Sequence, residues 1–315
     1  MTPPSLHFVS CPDASGSHRM AYWAWGNPSS AHVVLCVHGL SRQGRDFDAL
    51  AAALCRQSAA TPGSIRVICP DVVGRGQSAW LADPLGYQIP TYAADMLALL
   101  AQLHQASPIA TLDWVGTSMG GLIGLAVCGQ SGLPMPQAHA PAGGTGAALS
   151  VRRLVLNDVG PAIEWDAIAR IGSYLGRGGP FDTVDDAAQA LRLISTGFGP
   201  HTTAQWRALS APMVKAGHDG RWHLHYDPAI AVPFNAATQA STAQGEAMLW
   251  QLYDHVTADT LVLRGAESDL LARTTAHAMT QRGPKARVME FDGVGHAPTL
   301  VADDQLAAVV SFLLA

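Results

Sequence analysis

The run Gly116-Thr117-Ser118-Met119-Gly120, followed by Gly121, is the part of this sequence best suited to do chemistry. An apolar, strand-like stretch, Leu112–Val115, precedes it and a helix-like one, Met119–Cys128, follows. A serine held on a sharp turn from strand to helix stands exposed on a nucleophile elbow. Glycines two residues to either side let the backbone pass close to its neighbours. The helix start behind the serine offers free N–H groups to a developing negative charge. The hydroxyl is a weak nucleophile until a base removes its proton, and histidine, with a pKa of roughly 6.5, suits that work near neutrality.

Of the 13 histidines, His296 in Gly293-Val294-Gly295-His296-Ala297-Pro298 is the best placed, in a loop after the last strand-like run and before the last helix-like one. The imidazole in turn needs a carboxylate to fix its tautomer and balance its charged form. Asp269, just past the run Thr260–Arg264, is the expected partner, because the neighbouring strand-end loop leaves the shortest reach to the final histidine. Asp158, just past Arg153–Asn157, is the rival position; Glu267 and Asp292 are weaker ones. His38 ends a strand-like run ahead of the serine and is read as a structural hydrogen-bonding residue. His223 and His225 form an HxH without carboxylate or cysteine partners nearby, so they are read as solvated or ring-stacked. The 5 cysteines contain no CxxC pair, and Cys11 and Cys55 are isolated. Neither a disulfide framework nor a metal site is expected.

The elements that must position these residues alternate along the chain. Strand-like runs fall at Leu6–Val9, Met20–Trp25, His32–Val37, Ile65–Cys69, Leu112–Val115, Arg153–Asn157, Thr260–Arg264 and Ala286–Phe291. The first two read as a hairpin. Helical spacing appears over Phe47–Arg56 with Asp46 as cap, from Thr91 through Leu103, and over Met119–Cys128, Ala276–Gln281 and Asp304–Leu314. Residues 130–149 are rich in Ala, Gly and Pro and read as an exposed loop in which His139 is solvated. Repeated strand–helix units predict an α/β fold: a mostly parallel eight-stranded sheet with helices on both faces. The long interruption before Thr260 is helix-like and aromatic-rich and predicts a helical cap. The expected organisation is core 1–158, cap 159–256 and core 257–315.

Ser118, Asp269 and His296 occur in the order nucleophile, acid, base, and here the sequence resembles the α/β-hydrolase superfamily. His38-Gly39-Leu40 is similar to its oxyanion-loop motif, and Asp71-Val72-Val73-Gly74-Arg75-Gly76-Gln77-Ser78 to its D-x-x-G-x-G-x-S turn. The resemblance implies an oxyanion hole made by the backbone N–H groups of Leu40 and Met119. It implies a serine hydrolase cleaving carboxylic esters or lactones through an acyl-enzyme. The alternatives are a meta-cleavage-type C–C bond hydrolase and a non-catalytic small-ligand-binding member of the fold. Serine at 118 disfavours the alkyl-enzyme chemistry of haloalkane dehalogenases and epoxide hydrolases, and Ala297 stands where C–C hydrolases usually carry Trp.

A 48% hydrophobic chain with 14% charged residues is not disordered, and a net charge of −5 gives no reason to expect nucleic acid or an anionic membrane. No apolar stretch approaches the ~18 residues that span a bilayer. With no signal-peptide pattern, a cytoplasmic protein is expected, without cofactor, acting on a small molecule; the oligomeric state is open. The aromatic cap suggests an apolar or aromatic acyl or alcohol group. Arg42, Trp80, Trp165, Trp222 and Tyr226 are the candidate pocket residues. Arg42 is balanced between a substrate carboxylate and an ion pair with Asp46 or Asp48.

Overall fold

A computed structural model describes residues 3–13, 16–58, 64–129 and 149–315. The first segment forms an antiparallel hairpin, β1 (Ser5–Asp13) and β2 (Gly16–Gly26), and then β3 (His32–Val37), α1 (Asp48–Ser58), β4 (Ile65–Asp71), α2 (Ile89–Ala106), β5 (Thr111–Thr117), α3 (Met119–Cys128) and β6 (Val151–Asn157) follow. After β6 come α4 (Trp165–Tyr174), α5 (Val184–Ile194), α6 (Thr203–Ser210), a small hairpin of β7 (Val214–Ala216) and β8 (Trp222–Leu224), α7 (Ala231–Asn235) and α8 (Gln239–Asp254). The chain then returns through β9 (Asp259–Gly265), α9 (Arg273–Met279), β10 (Arg287–Phe291) and α10 (Asp303–Leu314). Eight strands form one sheet in the order β1-β2-β4-β3-β5-β6-β9-β10. Only the β1–β2 and β2–β4 pairings are antiparallel.

Successive strand residues point to opposite faces, and in β3 both faces are dry. Val33, Leu35 and Val37 pack into the core shared with α2 and α3, whereas Val34 and Cys36 pack into the core shared with α1 and α10. The parallel strands β3, β5, β6, β9 and β10 therefore all end on one edge of the molecule. Loops at that edge carry every residue of the candidate site.

Several local expectations need correction. Asp46 does not cap α1; it lies in a 3-10 turn, Gly44–Phe47, and both its oxygens accept from Arg42. The second long helix begins at Ile89, two residues ahead of the expected Thr91 cap. Three-residue strands β7 and β8 are too short to show a period in sequence. His139 lies outside the described residues. Among the described residues, no helix is long and apolar enough to cross a membrane.

Cys11, isolated in sequence, is fully buried beside an ionic cluster on the hairpin. His18 Nδ1 sits 2.8 Å from Asp13 Oδ2 and its Nε2 2.9 Å from Asp95 Oδ2 of α2, so the ring bridges two carboxylates. Burial pulls the imidazole pKa down, but the hydrogen bonds to Asp13 and Asp95 and their charges outweigh it, and it ends above the usual histidine value. Burial also raises Asp95, against the opposing pull of His18. Both shifts carry the same sign: folding binds protons more tightly than the unfolded chain does. The histidine's stabilisation is thus full below its unfolded pKa and fades as pH rises through the raised folded value, and the raised Asp95 adds a trend of the same sign that begins in the carboxylate range. His18→Gln is expected to lower the Tm by several degrees at pH 6 and by clearly less at pH 9, measured by calorimetry across that range. An equal loss at both ends would mean that the ring contributes packing alone.

Candidate active site

Ser118 links the end of β5 to the start of α3 with φ 52° and ψ −117°, a conformation that side chains rarely adopt. The turn is that tight because the flanking residues have no Cβ. A Cβ on Gly116 would run into the carbonyl of Gly120, one on Gly120 into the carbonyl of Val37, and one on Gly121 into Val159 Cγ1. The glycine pattern is thus a steric requirement of pressing α3 against the end of β3. Ser118 N–H donates to Asn157 O at 2.9 Å, which ties the elbow to β6.

Ser118 Oγ lies 3.0 Å from His296 Nε2, in the loop between β10 and α10. On the other side of the ring, His296 Nδ1 is 2.8 Å from Asp158 Oδ2. Asp158 is fully buried, and its charge is met by two further donors: Gly265 N–H on Oδ1 and Ser268 Oγ on Oδ2. A carboxylate out of water needs such partners, since an unpaired one is far too costly to hold ionised. Ser268, which sequence reasoning passed over, is itself held by the N–H groups of Leu270 and Leu271.

Asp269, the expected acid, is not at the histidine. Its side chain is 50% exposed and forms a two-pronged ion pair with Arg170 of α4, at 2.7 and 3.0 Å. The reason is strand order. Strand β9 does neighbour β10, but β6 lies between β5 and β9, so the residue ending β6 is the one that faces both the serine and the histidine. Of the sequence candidates, the structure brings together Ser118, His296 and Asp158.

His38 behaves as the structural residue expected. It is fully buried, donates from Nδ1 to Gly39 O at 2.7 Å and accepts from Val72 N–H at Nε2. Burial holds its pKa down at about 3, so it stays neutral. Asp71 accepts from Gln77 N–H and Ser78 Oγ donates to Asp71 O, which closes the turn, while Gly44 N–H on Asp71 and Ala21 N–H on Ser78 Oγ tie it to more distant chain. Arg75 of the same motif is fully buried. Its guanidinium donates to Leu40 O, Val73 O and Tyr92 Oη and approaches Met119 Sδ at 3.7 Å. It thereby braces the two residues whose N–H groups were assigned to an oxyanion hole. Among the described residues, no protein carbonyl accepts from Leu40 N–H or Met119 N–H.

Two cavities meet at Ser118, of about 520 and 660 Å³. Of the candidate pocket residues, Arg42 and Tyr226 line the smaller one. Arg42 is committed to Asp46 at 2.6 Å and to Leu209 O, which decides its balance towards the ion pair. Trp80 is corrected to a surface residue, 47% exposed, with Lys215 Nζ 4.8 Å from its ring centroid. Trp165 opens α4 and Trp222 pairs with Phe181 through backbone hydrogen bonds; neither reaches either cavity. Among the aromatics between β6 and β9, Phe198 stacks on Trp206 and Trp250 meets Tyr253 edge-on. His223 does have a carboxylate nearby, Asp219 four residues before it at 3.0 Å, and His225 bonds the carbonyl of Pro212, which corrects the reading of both as solvated or ring-stacked.

The chain belongs to the α/β-hydrolase family, whose model matches residues 34–310. It is 46% identical over 312 residues to the 3-hydroxybutyrate-oligomer hydrolase of Cupriavidus necator, spanning 98% of this chain and 97% of that one. Among solved structures, an α/β hydrolase from Novosphingobium aromaticivorans is 32% identical with a TM-score of 0.77, covering 100% of this chain and 99% of its own. A candidate hydrolase from Rickettsia typhi is 25% identical with a TM-score of 0.81, covering 99% of each chain.

The steric reading of the elbow has a direct check. Gly120→Ala is expected to destabilise the fold by about 3 kcal/mol or more in urea titrations, because backbone must move to admit the methyl group. Gly245→Ala in α8, where a Cβ meets nothing within 4 Å, should instead stabilise by roughly 0.5–1 kcal/mol. Equal effects at the two sites would remove the steric argument.

Proposed function

We propose that this protein hydrolyses carboxylic esters of small hydroxy acids, linear oligomers of 3-hydroxybutyrate among them, through an acyl-enzyme on Ser118. The observation that carries the reading is the unbroken chain of hydrogen bonds from Ser118 Oγ through His296 to the buried Asp158. The ester chemistry is supported by the near full-length similarity to the Cupriavidus necator enzyme.

In this mechanism His296 Nε2 takes the Ser118 proton as Oγ attacks the ester carbonyl. Asp158 keeps the Nδ1 proton in place and balances the imidazolium that forms. The oxyanion is received by the N–H groups of Leu40 and Met119, donors that need no reorganisation because backbone holds them; one such donor is worth on the order of 10²–10³ in rate. His296 then returns its proton to the leaving alkoxide. Water, activated by the same nitrogen, releases the acid.

Initial rates on p-nitrophenyl butyrate and on the 3-hydroxybutyrate dimer test this. Ser118→Ala should abolish the acyl-enzyme burst and lower kcat by at least ~10³-fold. Asp158→Asn should cost roughly 10³–10⁴ in kcat, because the imidazole loses its tautomer, while Asp269→Asn stays within a few-fold. A larger loss at Asp269 than at Asp158 would return the acid role to Asp269.

A further inference from the structure

The two cavities at Ser118 differ in which catalytic group they contain. Both are lined by Ser118, Leu40 and Ile171. The smaller also contains His296, and five charged residues, Arg42, Asp46, Arg170, Glu267 and Asp269, stand in its wall among apolar ones such as Leu191 and Ile194. The larger contains Met119 but not His296, and its wall is aliphatic and aromatic: Leu122, Val159, Ile163, Ile168, Ile230 and Phe234 are among its residues.

Tetrahedral geometry converts this into an orientation for the ester. The carbon attacked by Ser118 carries four groups: Oγ, the oxyanion, the leaving oxygen and the acyl substituent. The oxyanion faces the N–H groups of Leu40 and Met119. The leaving oxygen must come within hydrogen-bond reach of His296 Nε2, since its C–O bond breaks as that nitrogen delivers the proton. The alcohol half therefore extends into the cavity that holds His296, and the acyl substituent is left the other one. Deacylation retraces the path: water enters on the His296 side, loses a proton to Nε2 and displaces Oγ, which takes that proton back from Nε2. The charged groups in the cavity beside His296 are suited to hold that water, and the aliphatic wall of the other is not.

Resting on the serine-esterase reading above, we infer that the aliphatic cavity is an acyl-chain site and the charged cavity the site of a polar alcohol. At about 660 Å³, the acyl site is larger than a four-carbon acyl group requires. The substrate class accordingly extends to medium-chain acyl esters of small polar alcohols. Each methylene buried there should raise kcat/KM about fourfold until the cavity is full.

Two ester series test the assignment: p-nitrophenyl acetate to decanoate, which varies the acyl group alone, and acetates of graded alcohols, which vary the leaving group alone. Each is run on wild type, on Ile168→Trp in the aliphatic cavity and on Ile194→Trp in the charged one. Wild-type kcat/KM should climb from acetate to at least octanoate. Ile168→Trp should lower the octanoate-to-acetate ratio at least tenfold and alter deacylation of the octanoyl-enzyme. Ile194→Trp should reshape the alcohol series and not the acyl series. Ile163→Phe on the same wall as Ile168 substitutes if the tryptophan variant does not fold. A flat acyl series, or effects exchanged between the two cavities, overturns the assignment. Mass spectrometry of the quenched burst separates that outcome from failure of the underlying reading: an octanoyl adduct on Ser118 keeps the esterase mechanism even if the cavities are exchanged, and its absence removes both.

Discussion

The contact between Gly120 and the carbonyl of Val37 sets the geometry on which the rest of the site depends. Because no side chain intervenes, α3 begins against the end of β3, and Met119 comes to lie beside the loop that carries Leu40. The same closeness forces Ser118 into a positive φ and turns its hydroxyl out of the sheet edge. Strain of that kind persists only where the surroundings over-determine it. Here the packing of β3, β5 and β6 around the elbow supplies that determination.

Two buried charges flank the elbow and are held in different ways. Asp158 is surrounded by donors, namely a backbone N–H, a hydroxyl and an imidazole, so its position is fixed by two bonds from the end of β9 and the turn after it and one from the histidine loop. Arg75 is surrounded by acceptors without a carboxylate among them: two carbonyls, a phenol oxygen and a thioether, with the rings of Tyr87 and Tyr92 within 5.7 and 5.0 Å. Ion pairs between full charges stand in the wall of the cavity beside His296: Arg42–Asp46, largely buried, and Arg170–Asp269, half exposed, which water screens.

The parts of this arrangement that sequence disclosed are those whose cause is local. Glycines around Ser118, the apolar runs of β3 and β5 and the helix after the elbow follow from sterics and from burial on two faces, which one stretch of chain expresses by itself. His296 was legible because it must follow the last strand. The acid was not, because choosing between Asp158 and Asp269 needs the lateral order of β6 and β9, and no property of either segment encodes that. Chain distance argued for Asp269; sheet order placed Asp158 instead. The candidate pocket aromatics show the same limit. Composition marks Trp80, Trp165 and Trp222 as pocket candidates as readily as Tyr226, but only the folded packing reveals which ring faces a cavity.

The histidine loop is gripped from outside the sheet. Gly295 N–H donates to Gly197 O at 2.6 Å, Gly197 is so close to the His296 backbone that a Cβ there would sit 3.0 Å from its N and O, and His201 reaches Thr299 Oγ1 at 2.7 Å. Residues 196–201 belong to the segment inserted between β6 and β9, and Thr196, Gly197 and Phe198 among them also wall the cavity beside His296. Widening that entrance for a bulkier guest would therefore drag on the imidazole itself. Admission and reactivity share one tether, so the segment that screens what enters also sets whether the base is in register to act on it.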